Sequence, residues 1–216
     1  MSIHDMCLQT LTDDSSCPVL SVPARRVTKD IPCMRRYAVK CLTPLSRTLF
    51  NLGYRTATRL YRRICHTKEG QEEWLRHVKC MQPEQLSVVH KYMDMITMYI
   101  EYIADNVTDS EVIPYMCCSY FKVYQDAERD LHGYCDRLTG PETVDYIMGM
   151  VKSMSADMID MGCGRYASVK SCEANFAHGM KIMNDLVTPM SKVKPRQYSP
   201  IVPSVRVLKR LDKVVT

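Results

Sequence analysis

Glycine is scarce in this chain, with 8 residues in 216. Turn-rich β-folds depend on glycine and on β-branched runs; the shortage, beside 16 methionines and frequent Leu, Lys, Arg and Glu, predicts helices. Long apolar runs are missing as well. The most apolar stretch, MITMYI at 95–100, is bounded by Asp94 and Glu101 and falls short of the ~20 residues of a membrane span, which predicts a soluble chain with no transmembrane segment. There is no C-x-x-C, and the closely spaced pairs (Cys7 and Cys17, Cys33 and Cys41, Cys117 and Cys118, Cys163 and Cys172) do not resemble zinc half-sites. Glycine-rich phosphate loops are absent, and His66, His77, His90, His132 and His178 are scattered, with no H-E-x-x-H. Cys65-His66, the one adjacent cysteine–histidine pair, reads as a structural cysteine beside a histidine that complements a helix C-terminus, not as a catalytic dyad. Glu72-Glu73 and Asp157 with Asp160 read as carboxylates on helix surfaces. The sequence therefore predicts no enzyme, no cofactor and no metal site.

What is present is an ordinary globular composition with an unusual number of cysteines. At 46% hydrophobic and 25% charged residues the chain is neither collagen-like nor wholly disordered, and its length suffices to bury one sizeable core. Eleven cysteines in such a chain point to disulfides formed in an oxidising compartment; buried reduced thiols in a cytosolic protein are the alternative. Secretion conflicts with the start of the sequence, because MSIHDMCLQTLTDD puts Asp5, Asp13 and Asp14 where an apolar leader would run. A secreted, extracellular location thus requires a signal that this sequence does not contain. The net charge of +5 is concentrated at one end: residues 189–216 carry seven basic residues against Asp212, leaving residues 1–188 at about −1. A near-neutral body does not grip nucleic acid through its own surface.

Three segments follow along the chain: an irregular N-terminal arm at 1–32 with Pro18, Pro23 and Pro32, a cysteine-rich helical domain at 33–188, and a basic, proline-containing tail at 189–216 that reads as disordered, or as a short amphipathic helix or strand on a partner. The stretch from Cys41 to Cys80 reads as a stapled helical hairpin. After a short helix near 33–40, Thr43-Pro44 opens a helix to about residue 66 with Leu45, Leu49, Leu52, Leu60 and Ile64 inward and Arg47, Arg55, Arg59 and Arg62 off that line. A turn at 67–70 leads to a second run carrying Trp74 and Leu75 to the core. Pro83 starts the helix of clearest periodicity, with Leu86, Val89, Met93, Ile96, Ile100 and Ile103 alternating three and four apart, the seam of an antiparallel bundle. Asn106-Val107-Thr108 is a glycosylation sequon in the following loop. The next helix, to about Cys135, aligns Val112, Met116, Tyr120, Val123, Ala127, Leu131 and Tyr134. Its adjacent Cys117 and Cys118 project about 100° apart and should pin two different neighbours. Gly140-Pro141 restarts the chain into a helix over Ile147, Val151, Met154, Met158 and Ile159 that stops at Cys163-Gly164, and a last run spans 169–187.

The runs IPCMRRYAVKCLTPLSRTLFNLGY, RRIC, EEWLRHVKCM, VIPYMCCSYFKVY and YCDRLTGPETVDYIMGMVKSMSADMIDMGC, over about residues 31–172, resemble a family of secreted, cysteine-rich helical proteins of arthropods, similar in pattern to the nematode "domain of unknown function nineteen" proteins. The resemblance implies an extracellular, all-α, disulfide-stapled antiparallel helical bundle without an assigned activity. Such proteins often carry cysteines near Val89 and Asp126; this chain has neither. If those two pair in the family, their joint absence leaves Cys33, Cys41, Cys65, Cys80, Cys117, Cys118, Cys135 and Cys163 as candidates for four disulfides, with connectivity open and Cys7, Cys17 and Cys172 left over.

Three functions are compatible with this reading. One is an extracellular helical interaction or structural module that binds another protein. The second is a secreted carrier of a small apolar ligand held between methionine-rich helices, on Met150, Met154, Met158, Met161, Met180, Met183 and Met190, although methionines at helical spacing also simply fill cores. The third is a reduced cytosolic adaptor that uses its basic tail.

Overall fold

The computed structural model describes residues 38–40, 42–80, 83–189 and 201–215, and among them every regular element is helical. The N-terminal arm, Cys7, Cys17, Cys33, Cys41 and Met190 lie outside the described residues. After a helical turn at 38–40 the elements are α1 (Pro44–His66), α2 (Lys68–His77), α3 (Pro83–Asn106), α4 (Val112–Thr139), α5 (Glu142–Gly162), α6 (Val169–Asn175), α7 (Ala177–Val187) and α8 (Ile201–Val215). Short 3-10 turns at Val78–Cys80, Asp109–Glu111 and Gly164–Tyr166 join some of them.

Punctuation follows local chemistry. Proline opens α1 at a position where its missing N–H costs nothing. Thr67 alone separates α1 from α2, because its hydroxyl donates to the Arg63 carbonyl at 2.7 Å and accepts from the Gly70 N–H at 3.1 Å, serving both helix ends. The turn predicted over 67–70 is therefore one residue long. Gly140, at φ 87°, ends α4 in a conformation that disfavours a Cβ. The predicted single run at 169–187 is two helices broken at Phe176, whose ring lies where a Cβ on Gly179 would fall, 1.9 Å from Cε1, and stacks edge-on against Tyr115.

Helix α4 is the axis of the molecule. Antiparallel neighbours α3 and α5 lie on either side of it, as the pairs Tyr92–Asp130 and Tyr102–Tyr115 show for α3, and Tyr124–Met148 and Tyr120–Ser155 for α5. All three disulfides formed by the described residues end on α4: Cys80–Cys135, Cys117–Cys163 and Cys118–Cys172, with Cα separations of 5.4, 5.6 and 5.7 Å. The adjacent cysteines do pin different neighbours, since the ~100° between successive helical side chains aims them apart. Cys172, left over in the sequence reading, belongs to the bonded set, and Cys80 ties the hairpin to α4, the helix that bears Cys117 and Cys118. Cys65 is half-buried in the last turn of α1.

The main core gathers Met95, Tyr99 and Ile103 of α3, Val112, Tyr115 and Val123 of α4, Met180 and Met183 of α7, and Val207 and Leu211 of α8. A smaller cluster holds Cys80, Leu131, Cys135, Val144 and Met148. Leu75 and Tyr134, expected inside, are exposed; Trp74 and Cys135 take the inward positions one residue away. The tail is also corrected. Residues 201–215 form α8, which buries Pro203, Val207 and Leu211 against the protein's own α1 and α3. Among the described residues no helix is long and apolar enough to cross a membrane.

Candidate functional site

Between α3, α4 and α5 runs a groove of about 340 Å³. Its wall on α3 is Val89, Met93, Ile96 and Ile100, the same residues whose 4-3 spacing reads in sequence as a bundle seam. Part of that seam borders an open space: Met93 is 47% exposed, and Val89, Ile96 and Ile100 are half-buried, packed against the core on one side and lining the groove on the other, whereas Ile103 is fully buried. The buried face of α3 is Tyr92, Met95, Tyr99 and Ile103. The floor comes from α4, where Ser119, Val123 and Ala127 recur every fourth residue and are small enough to leave the channel open, while α5 supplies Ile147, Met148 and Val151.

Five lining side chains carry polar atoms, and each is bonded within the protein. Tyr92 donates to Asp130 Oδ2 at 2.6 Å and Tyr99 to the Met183 carbonyl at 3.2 Å. Ser119 donates to the Met116 carbonyl at 3.0 Å and Tyr124 to the Met148 carbonyl at 3.4 Å, and the Tyr120 hydroxyl lies 2.5 Å from Ser155 Oγ. Burial, aided at Tyr92 by the bond to Asp130, pushes the Tyr92 and Tyr99 hydroxyls well above the ordinary phenol range, so they stay protonated and neutral at any physiological pH. Tyr92, Tyr120 and Tyr124 thus tie α4 to α3 and α5, Tyr99 ties α3 to α7, and the rings offer the groove carbon. The buried polar atoms without partners, Arg47 Nε and Trp74 Nε1, lie elsewhere.

The sequon and the methionine series singled out from sequence lie apart from this groove. Asn106 is exposed at the last position of α3, not in a loop, with its amide donating to the Tyr102 carbonyl at 3.4 Å. Of the methionine series, Met180 and Met183 are core residues, and Met154, Met158 and Met161 face solvent on α5. None of these five lines the groove, whose methionines are Met93, Met116 and Met148. The signal that could have located it was the α3 seam, read as lining rather than packing. No group of three or more His, Cys, Asp or Glu among the described residues is placed to hold a metal ion. No protein-family model, no curated protein and no solved structure matches this chain.

Proposed function

We propose that the protein is a carrier of a small apolar ligand, held in the groove between α3, α4 and α5. The observation that carries this reading is a preformed space of about 340 Å³ whose polar side chains are all already bonded to protein. Water needs two to four polar partners to occupy such a space favourably, and these walls have their hydroxyl protons committed within the protein and expose mainly carbon, whereas an apolar molecule gains roughly 25 cal/mol for each Å² it removes from water. The size falls in the range of small-ligand pockets. The disulfides support an oxidising, extracellular setting for this carrier. The proposed site uses the tyrosines of α3 and α4 and the isoleucines of α3, not the methionine series, which the sequence reads chiefly as core filler.

The test uses the uncharged dye N-phenyl-1-naphthylamine, whose emission rises in apolar surroundings. Saturable uptake is expected from the native, disulfide-bonded protein, and Val123→Trp, which fills the middle of the floor, should abolish it while the melting transition remains cooperative. No uptake, or uptake unchanged by Val123→Trp in folded protein, would overturn the proposal.

A further inference from the structure

We infer that the occupant of the groove is a single uncharged hydrocarbon chain of about a dozen carbons, lying lengthwise along α4; this rests on the apolar-ligand reading above. The lining runs on α3 from Val88 to Ile103 and on α4 from Met116 to Leu131, each ~22 Å at 1.5 Å per residue. A space of 340 Å³ lined over that length is elongated, the shape of an extended chain and not of a compact system of fused rings. At ~30 Å³ for each methylene-sized group, about the share of a water molecule, the volume holds about eleven.

The volume sets the limit on length. The open side lies along α3 beside Met93, the one exposed residue of the lining, so a chain enters sideways, and carbons beyond those the space holds stay in water. Charge is excluded by the same walls, because the lining contains no Lys, Arg, His, Asp or Glu and its hydroxyls are engaged. A carboxylate drawn in among these walls would lose its water with nothing to pair with.

Calorimetric titration of the native protein with 1-alkanols of six to sixteen carbons tests this directly. Affinity should rise about fourfold with each added methylene, then level off near a dozen carbons. Dodecanoate should bind at least tenfold more weakly than dodecanol, and pyrene, rigid and four rings wide, should not compete. In Ala127→Phe the ring closes off the Leu131 end, and the plateau should move to about eight carbons; the series on unaltered protein decides the matter even if that variant does not fold. Affinity rising without a plateau, dodecanoate matching dodecanol, or pyrene binding as well as the alkanols would overturn the single-chain inference while leaving an apolar carrier intact. Failure of every alkanol, pyrene and the dye to bind would remove the carrier reading with it.

Discussion

Tyr92, Tyr99, Tyr115 and Tyr124 serve as structural struts whose chemistry depends on remaining phenols. Burial is the largest cause of the upward displacement in all four, and Tyr115 is pushed up to about 12 from an ordinary 10.0. For a group whose folded value is raised, the stability it contributes is complete below the unfolded value and is lost as pH rises toward the folded one. The expected result is that stability measured by denaturant melting is flat toward pH 10 and falls between about 10 and 12, with the phenolate absorbance of these tyrosines appearing together with unfolding. Independent, early ionisation of all the tyrosines in folded protein would contradict this. The acid side has the opposite sign. The hydroxyl of Thr108, 2.8 Å away, and then His178, 2.9 Å away, hold the Glu111 carboxyl below its usual range, so its contribution is present above that range and fades as pH falls.

At the scale of elements, one arginine of α8 gathers several acceptors. Arg210 donates to the carbonyls of Ile103 at 2.6 Å and Ala104 at 3.2 Å in the last turn of α3 and to that of Val107 just beyond it, while pairing with Asp109 at 2.7 Å. A fork of donors can meet several acceptors at once, which a single ammonium cannot. Arg210→Met should cost ~2–3 kcal/mol and Arg210→Lys should recover little of it, with amide hydrogen exchange over 201–215 accelerating in both. Arg206, which pairs with Asp105 at 2.5 Å but is half-exposed, should contribute no more than ~1 kcal/mol. Protection of α8 that survives Arg210→Met would show that Pro203, Val207 and Leu211 hold it by burial alone. Residues 201–215 of the basic tail are thus a helix docked on the body.

At the scale of the whole molecule, the three bridges radiate from α4, two from its first turns and one near its last, so the central helix is crosslinked to elements before and after it in the chain. Their sequence separations of 55, 46 and 54 residues place each contribution near ~4 kcal/mol by loop closure. Peptide mapping of unreduced protein should recover these three pairs, and replacing Cys80 and Cys135 together by serine should lower unfolding stability by about that amount. A map that pairs Cys117 or Cys118 otherwise would reject the arrangement. These bridges also hold in register the helices that frame the groove, so reduction should weaken dye uptake along with stability.

The sequence by itself determined that the regular elements of the described residues are helices, where most of them start and stop, and that Cys117 and Cys118 reach different partners. Those features are local: proline and glycine act on their own dihedrals, and helical spacing fixes the angle between neighbouring side chains. It also marked the 4-3 row of Val89, Met93, Ile96 and Ile100 as significant. Only the tertiary structure decided that this row lines a groove, because periodicity reveals which residues share a face and not whether that face meets another helix or a space. The same limit explains Cys172 and α8. Whether a cysteine finds a partner 54 residues away, or an arginine finds three carbonyls at the end of α3, depends on how the helices pack, and that distance is not written in the spacing of either segment.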